Sequence, residues 1–233
     1  ARQHANALII CGDIFHAWVG ADQALDPPNW LAQAIHHFRQ TSQDIPIYFM
    51  RGNRDFLLDQ RFANYVGAQL LPDQIILQTE QQELILTHGD ELCTDDVSYQ
   101  RFRRHVRNPL IQSWFLKLPL HWRLKIAGGL RQRSQKQQQY IESTISDVNT
   151  QSCLELLEHN QQQLLIHGHT HRPAVHRISR TQGSALTRLV IPDWEYDHSQ
   201  PTRSGWVALM PNGQLELHRL HYPTLRFTLK AKH

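Results

Sequence analysis

Four short segments of this chain share one pattern, in which an apolar run ends at a glycine and is followed by side chains that can bind a metal ion. The segments are CGD at 11–13, RGNRD at 51–55, THGD at 87–90 and IHGHTH at 166–171. Each apolar run predicts a buried β-strand, and the glycine lets the backbone turn sharply as it leaves the strand. The pattern favours an α/β fold in which polar side chains collect beyond the strand ends.

The spacing of apolar residues predicts the remaining elements of this fold. Residues 29–42 are predicted to be helical, because Trp30, Ile35 and Phe38 lie roughly on one face, and a short helix is predicted around 59–66. Strands are predicted at 7–11, 45–50, 74–78, 83–90, 163–171, 187–194, 205–210 and 214–220. Alternation of strands and helices indicates a layered α/β fold, and if the four glycine-terminated strands lie in one sheet, their polar side chains converge.

The middle of the chain has a different character. Residues 95–158 contain no convincing strand and predict several helices, broken at Asn108-Pro109, at Pro119 and at Gly128-Gly129. We interpret this region as a helical insert in the α/β scaffold. The predicted organisation is a first core half at 1–94, the insert at 95–158 and a second core half at 159–233.

The polar residues at the strand ends match the chemistry of divalent metal ions. The candidate ligands are Asp13, Asn53, His88, His169 and His171. Mixed Asp, Asn and His ligands suit Mn, Fe, Co or Zn. The absence of cysteine from these candidate ligands disfavours a structural zinc site. Each short motif alone could be a turn, but all four together predict a metal-dependent phosphoester hydrolase, since paired metals can activate water and neutralise a phosphoryl group.

The composition of the chain indicates the cellular compartment in which it works. Cys11, Cys93 and Cys153 are widely spaced and form no C-x-x-C pair, which fits a reducing compartment and argues against a disulfide scaffold. No run of about 18 apolar residues occurs, and the first residues do not resemble a secretory signal. A protein that works in the cytoplasm is therefore expected.

A basic stretch lies inside the predicted insert. Between Arg101 and Lys136 the chain has ten Lys or Arg residues and no Asp or Glu. This basic stretch is therefore expected to bind phosphate groups. Two interpretations remain open: an interfacial helix or lid over an acyl chain, or a helical hairpin packed on the core with solvated charges. A nucleic-acid-binding module is disfavoured, because the basic residues alternate with bulky apolar residues on helices and not with stacking aromatics on a sheet.

The motifs GD, GNRD, HGD and GHTH together resemble those of the calcineurin-like metallophosphoesterases. More narrowly, the chain is similar to the UDP-2,3-diacylglucosamine hydrolases of bacterial lipid A biosynthesis. Arg54 supports the narrower resemblance, because most metallophosphoesterases carry His at this position. The other matching segments are GDIFHAWVG at 12–20, GNRDFLL at 52–58, THGDELCTDD at 87–96, FRRHVRNPLIQSWFLKLPL at 102–120, SDVN at 146–149 and LIHGHTHRPAVH at 165–176.

The resemblance implies a layered α/β/β/α sandwich with a helical lid. It also implies hydrolysis of the pyrophosphate bond of UDP-2,3-diacylglucosamine to UMP and 2,3-diacylglucosamine 1-phosphate. Two divalent metal ions, with Mn2+ as the expected ion, would support the reaction. The implied setting is peripheral contact with the cytoplasmic face of the inner membrane, as a monomer and without nucleic acid.

The resemblance also assigns residue roles. Asp13 would bridge two metals, while Asn53, His88 and His169 would complete one site and His171 would belong to the other. Asn53 and His169 would also act in catalysis at the substrate phosphates. The implied substrate contacts are Asn53, Arg54, Asp96, Ser134, Gln138 and His169. His167 is expected to be a structural residue or a support for the ligands.

Two departures from the family pattern matter. The family opens with a strand ending in D-x-H, which supplies ligands of the second metal, and this chain has no such motif. The chain is therefore expected to lack the first strand and to carry one nearly complete site, with only Asp13 and His171 left of the other. Near Gln138 and Ile141 the family has Asn and Lys contacts, and Ile141 cannot replace a cationic one.

Two other functions stay open from the sequence. One is a generic metallophosphodiesterase or nucleotide pyrophosphatase, which GNRD and the apolar insert disfavour. The other is a catalytically inactive remnant that acts as a binding protein. The general acid for the leaving group is not assigned.

Overall fold

The computed structural model describes residues 5–138, 147–180, 183–197 and 199–228, without the side chains of 133–138. The chain divides into two compact units, which are described separately. The first unit comprises Ala1–Asp73 and Cys93–Ser146, and the second comprises Gln74–Leu92 and Asp147–His233.

A parallel three-stranded sheet forms the centre of the first unit. Its strands are β1 (Leu8–Cys11), β2 (Ile47–Met50) and β3 (Ala68–Leu70), in the order β1-β2-β3. Helix α1 (Asn29–Asp44) connects β1 to β2, and helix α2 (Gln60–Tyr65) connects β2 to β3. Parallel neighbours need such crossover connections, so the predicted strand-helix alternation is confirmed.

The core of this unit is rich in aromatic side chains. Trp18, Phe49 and Phe62 are almost completely buried, and the Trp18 and Phe62 ring centroids lie 4.4 Å apart. Phe15 stacks on Trp18 with a centroid distance of 4.8 Å. Because Phe15 and Trp18 follow Asp13 closely in the chain, their burial fixes the segment that leaves β1.

Three further helices follow in the described part of the first unit. They are α3 (Val97–Val106), α4 (Pro109–Leu116) and α5 (Leu120–Gln138). The predicted break between α3 and α4 is confirmed, since the Asn108 side chain accepts a hydrogen bond from the Leu110 amide at 2.9 Å and caps α4. The predicted break at Pro119 is also confirmed.

The break predicted at Gly128-Gly129 is wrong, because α5 continues through both residues. Both glycines are exposed, and a Cβ atom at either one would meet no atom within 4 Å. A glycine inside a helix costs about 1 kcal/mol relative to alanine, which a long helix can tolerate.

A five-stranded sheet forms the centre of the second unit. Its strands are β4 (Gln74–Gln78), β5 (Glu83–Thr87), β6 (Leu164–His167), β7 (Val175–Ile178) and β8 (Leu186–Val190), in the order β4-β5-β6-β8-β7. Strands β5, β6 and β8 run parallel, and β4 and β7 pair antiparallel at the two edges. Helix α6 (Thr150–His159) leads into β6 and buries Cys153 and Leu157.

An antiparallel sheet of β9 (Gly205–Leu209), β10 (Leu215–Arg219) and β11 (Tyr222–Phe227) completes the second unit. Three observed strands were not predicted, namely β3, β7 and β11. Strand β3 has only three residues, β7 mixes polar with apolar residues, and β11 is a mostly exposed edge strand that contains Pro223. Such strands carry little apolar periodicity, which is the signal that sequence reasoning uses.

Among the described residues, the four glycine-terminated strands do not lie in one sheet, so the condition for their convergence in a single sheet is not met. Strands β1 and β2 belong to the sheet of the first unit, and β5 and β6 belong to the five-stranded sheet of the second. Within each sheet, however, the two strands are parallel neighbours. The mixed α/β class is confirmed, while the three-part division at 95 and 158 stays a prediction.

Among the described helices, none combines the length and the apolar character that crossing a membrane requires.

Candidate active site

In the first unit, the loops after β1 and β2 meet beyond the carboxyl ends of these strands. The register pairs Cys11 with Met50, which places Asp13 and Asn53 just past the last strand pair. The Arg54 backbone N–H donates to the Asp13 Oδ1 atom at 2.9 Å. The structure therefore brings the predicted residues Asp13, Asn53 and Arg54 together within this unit.

The buried carboxylate of Asp55 organises these two loops. It accepts hydrogen bonds from the backbone N–H groups of Gly52 at 2.6 Å, Ile14 at 2.7 Å and Asp13 at 3.2 Å. The residue is 0% exposed, so backbone donors satisfy a charge that would otherwise be costly to bury. Asp55 has a metal-capable side chain, yet its oxygens are directed at the backbone of both loops.

The first residue of GNRD must be glycine, because the Asp13 side chain lies too close to Gly52 for any Cβ atom. A Cβ atom on Gly52 would lie 2.1 Å from the Asp13 Oδ1 atom, a distance that no side chain could accommodate. Asp13 itself has φ 55°, in the left-handed region that residues other than glycine seldom adopt. Backbone strain of this kind persists where the surroundings hold it, and it concentrates at functional sites.

Arg54 lies beside the Asp13 carboxylate. Its Nε atom is 3.4 Å from Asp13 Oδ2, and the Arg54 side chain remains 38% exposed. A partly exposed guanidinium has further N–H donors for an anionic ligand.

In the second unit, His88 and His169 follow the neighbouring strands β5 and β6. The register pairs Thr87 with His167, and the Gly168 N–H donates to the His88 carbonyl at 3.0 Å. The His88 and His169 ring centroids lie 5.2 Å apart, and His88 is only 2% exposed. Two imidazoles predicted as ligands of one metal are therefore neighbours within this unit.

His171 is held by an acidic residue that the sequence reasoning missed. Its Nδ1 atom lies 2.8 Å from Asp193 Oδ2, and the same oxygen accepts from Arg203 Nη2 at 2.7 Å. Burial raises the pKa of the Asp193 carboxyl, but the hydrogen bonds from His171 and Arg203 outweigh it and keep the pKa well below its usual range. A carboxylate on one imidazole nitrogen fixes the ring and leaves the other nitrogen for a metal.

A signal for Asp193 was present in the sequence. The segment LTRLVIPD places an acidic residue after an apolar strand, as in the four motifs, but it lacks the glycine that those motifs share. His169 and His171 also have left-handed backbones, with φ 64° and 55°. Three of the five predicted ligands, counting Asp13, thus occupy a conformation that residues other than glycine seldom adopt.

His167 lies in the interior of the second unit. Its side chain is 0% exposed, and its Nε2 atom has no hydrogen-bond partner among the residues that the structure describes. Burial, helped by the nearby Arg188 charge, lowers the pKa of His167 to about 3, so the imidazole is neutral. A Cβ atom on Gly89, which has φ 105°, would lie 2.7 Å from His167 Nδ1. A structural role for His167 stays a prediction.

The other predicted substrate contacts lie in the first unit. The Asp96 carboxylate caps α3 by accepting from the Tyr99 N–H at 2.9 Å and the Ser98 hydroxyl at 2.7 Å. Ser134 and Gln138 lie within α5, but their side chains are outside the described part of the structure. Ile141 lies outside the described residues as well.

The chemistry of these donors fits divalent metal ions. Asp13 and Asn53 of the first unit have oxygen donors, and His88, His169 and His171 of the second unit have imidazole nitrogens. Both donor types bind borderline divalent metals. Across the described ranges, no three His, Cys, Asp or Glu side chains form a group that could hold a metal by themselves. The match between these residues and divalent metal ions therefore rests on the type of their donor atoms and on the strained backbone at Asp13, His169 and His171.

Comparison with known proteins assigns the family. Residues 1–173 match the family described as calcineurin-like phosphoesterase. A UDP-2,3-diacylglucosamine hydrolase of Bordetella pertussis is 44% identical over 213 residues, which cover 91% of this chain and 82% of that protein. The chain belongs to the UDP-2,3-diacylglucosamine hydrolases, within the calcineurin-like phosphoesterases.

Other members of these hydrolases give the same result. The UDP-2,3-diacylglucosamine hydrolase of Serratia proteamaculans is 46% identical over 196 residues, covering 84% of this chain and 80% of that protein. The resemblance, the metallophosphoesterase fold and the hydrolase class predicted from the sequence are thus confirmed. Membership of the metallophosphoesterases also implies that divalent metal ions take part.

Two solved structures have a distant likeness to this chain. An archaeal phosphodiesterase has a TM-score of 0.41 and 10% identity, covering 97% of this chain and 85% of that chain. Vacuolar protein sorting 29 from Cryptosporidium parvum has a TM-score of 0.42 and 13% identity, covering 84% and 76%. At such scores the likeness carries no weight, and the family assignment rests on sequence.

Proposed function

We propose that this chain hydrolyses the pyrophosphate bond of UDP-2,3-diacylglucosamine in lipid A biosynthesis. Water adds across the bond, and the products are UMP and 2,3-diacylglucosamine 1-phosphate. The identity of 44% to UDP-2,3-diacylglucosamine hydrolases over 91% of the chain is the observation that carries this proposal.

The proposed metal ligands are those predicted from the sequence, and Mn2+ is the proposed ion. Asp13, Asn53, His88, His169 and His171 would hold two ions. When bound, such ions activate water and neutralise charge on a phosphoryl group undergoing in-line displacement. Asn53 and His169 are further proposed to approach the substrate phosphates.

Arg54 is proposed to bind a phosphate of the substrate. Its guanidinium lies 3.4 Å from the Asp13 carboxylate, so it stands beside a predicted metal ligand, and it is exposed enough to meet a ligand. A guanidinium can donate two parallel hydrogen bonds to phosphate oxygens, which orients the group as well as stabilising its charge.

Helices α4 and α5 are proposed to bind the acyl chains and to dock peripherally on anionic membrane at the cytoplasmic face. Leu110, Trp114 and Trp122 are 73%, 72% and 51% exposed, which is unusual for such large apolar side chains. Lys117 lies over the Trp114 ring at 5.1 Å, and Lys125 lies over the Trp122 ring at 5.6 Å. Exposed tryptophans beside lysines suit the interface between acyl chains and charged headgroups.

The test is a comparison of three substrates with Mn2+ present. UMP release from UDP-2,3-diacylglucosamine should greatly exceed release from the same nucleotide sugar without acyl chains and hydrolysis of a small phosphodiester. The His88→Ala variant is the control for contaminating activity and should be inactive on all three. Equal turnover of the acylated and unacylated sugars would overturn the proposal in favour of a generic nucleotide pyrophosphatase.

A further inference from the structure

An arginine of the predicted insert reaches the loop that carries Asn53. Arg107 follows α3 directly, and its side chain is only 14% exposed. Its Nη1 atom donates to Asp73 Oδ2 at 2.8 Å, and its Nη2 atom donates to the Gly52 carbonyl at 3.1 Å. One planar guanidinium therefore joins a carboxylate anchor to a backbone carbonyl of the first unit.

Gly52 is fixed from three directions. Its N–H donates to Asp55 Oδ1 at 2.6 Å, its Cα has no room for a side chain beside Asp13, and its carbonyl accepts from Arg107. The contacts of Asp13 and Asp55 come from the site loops themselves. The hydrogen bond from Arg107 comes from the helical region and is made to the Gly52 carbonyl oxygen.

The orientation of this carbonyl determines where Asn53 lies. The peptide unit is planar, so the Gly52 oxygen and the Asn53 nitrogen and Cα move as one body. Glycine resists rotation of that plane less than any other residue, because it has no side chain. Without an external hydrogen bond, the plane between Gly52 and Asn53 could turn and carry the Asn53 carboxamide away from its place.

The anchor of Arg107 is itself tied to the same loop. Asp73 lies 3.7 Å from Arg51 Nη1, and Arg51 Nε donates to the Leu58 carbonyl at 2.7 Å. The Asp73 carboxylate therefore pairs with two arginines, Arg51 directly before Gly52 and Arg107 directly after α3.

We propose that Arg107 is a positioning residue for Asn53, which it aligns by holding the peptide plane between Gly52 and Asn53. The inference rests on the proposed function in one respect, since it takes Asn53 as a metal ligand and phosphate contact. It adds that a residue of the helical region, outside the four motifs, sets the geometry of the site loop.

The experiment compares Arg107→Ala and Arg107→Lys with Arg104→Ala, a matched control that removes an exposed arginine from α3, the helix that Arg107 follows. Mn2+ affinity is measured by titrating metal-free protein and following free Mn2+ by electron paramagnetic resonance. Loss of a residue that orients a ligand lowers metal affinity or activity by roughly 10–100-fold, so Arg107→Ala should fall in this range. Arg107→Lys should be intermediate, because one ammonium cannot reproduce the fork that spans Asp73 and Gly52.

Kinetics separate positioning from general damage. For UDP-2,3-diacylglucosamine at saturating Mn2+, kcat should fall in Arg107→Ala while KM changes by less than about twofold, since the lost alignment acts on the reacting groups and not on the acyl contacts. Hydrogen exchange of the segment 51–55 should accelerate in the same variant. Arg104→Ala should match the wild type in all three measurements.

Two results would overturn the proposal. One is a Mn2+ affinity in Arg107→Ala equal to that of Arg104→Ala, and the other is unchanged exchange of the segment 51–55. If Arg107→Ala does not fold, the same measurements on Arg107→Lys decide the question. If the wild type releases no UMP, the proposed function fails, while Mn2+ affinity and hydrogen exchange still test Arg107.

Discussion

At the scale of single residues, the support of His171 by Asp193 invites a direct test. Asp193 binds the His171 Nδ1 atom and is itself held by Arg203, so the imidazole has one orientation and one favoured tautomer. Asp193→Asn keeps the shape but removes the charge, and we expect Mn2+ affinity to fall roughly 10–100-fold. Titration with Mn2+ measures the affinity, and 15N chemical shifts of the His171 ring report its tautomer.

Asp197→Asn is the matched control for this change, because Asp197 is exposed and lies four positions further along the chain. It should leave both the affinity and the ring shifts unaltered. Unchanged ring shifts in Asp193→Asn would show that the carboxylate does not set the state of His171.

The site residues that were predictable from the sequence have a local signal, whereas those that were not predictable act through contacts between distant parts of the chain. Asp13, Asn53, His88, His169 and His171 each stand close to a glycine after an apolar run, so the signal is local. Asp193 meets His171 across 22 positions of the chain, and Arg107 meets Gly52 across 55. Their roles follow from tertiary contacts, for which a single sequence has no periodic signature.

At the scale of elements, a buried arginine anchors α5 to the segment that follows Asp13. Arg123 is 2% exposed; it donates to the Leu118 carbonyl at 2.8 Å and also to the Val19 carbonyl and the Asp22 carboxylate. The hydrogen bond from Arg123 lowers the pKa of Asp22. The start of α5 is thereby tied to the core of the first unit.

This anchor predicts a pH dependence. Because the pKa of Asp22 is lower in the folded chain, its carboxylate stabilises the fold above the unfolded pKa of about 3.9, and this contribution is lost as the pH falls through the folded value. Asp22→Asn should therefore lower the free energy of unfolding at pH 7. The Asp22 side chain is 44% exposed, so solvent screening should keep the effect at about 1 kcal/mol or less.

Urea unfolding at several pH values checks this prediction. The difference between wild type and Asp22→Asn should shrink as the pH is taken below about 4. Asp26→Asn, at an exposed position nearby, serves as the control. A difference that stays constant with pH would show that the carboxylate charge is not responsible.

The exposed face of α4 gives a second prediction at this scale. Trp114 is 72% exposed, whereas its neighbour Phe115 packs against the core of the first unit. Trp114→Ser should therefore remove an exposed apolar contact without disturbing the core. If the acyl chains bind here, KM for UDP-2,3-diacylglucosamine should rise roughly tenfold, equivalent to about 1.4 kcal/mol of lost contact.

Hydrolysis of a small soluble phosphodiester should be unchanged in this variant. Trp194→Ser is the matched control, since Trp194 is 67% exposed but lies in the second unit. Equal losses on the lipid substrate and the small diester would contradict an acyl-binding role for α4.

At the scale of the whole molecule, the sequence predicted strands better than sheets. Strand β4 was predicted with its observed bounds, and β5 and β6 lie inside longer predicted segments, because apolar runs report burial. Which strands pair was not predictable, and the four motif-bearing strands divide between two sheets. The pairing of strands depends on the connections between them and on edge strands such as β7 and β11. The sequences of these edge strands show little alternation of apolar and polar residues.

Metal binding should stabilise the whole chain, since a ligand that binds only the folded state shifts the unfolding equilibrium. At a Mn2+ concentration 100 times the dissociation constant, this linkage is worth about 2.7 kcal/mol. The increment in free energy of unfolding caused by Mn2+ should be lost in His88→Ala, since His88 is a buried predicted ligand beside His169. His159→Ala, at an exposed position at the end of α6, should retain it.

The increment, and not the absolute stability, decides this test. Removing the buried His88 side chain leaves a cavity that lowers stability in the absence of metal as well. Urea unfolding of each protein with Mn2+ and with a chelator cancels that effect, because each variant is compared with itself. A full Mn2+ increment in His88→Ala would remove His88 from the ligand set, whereas its loss in His159→Ala would point to binding outside the predicted ligands.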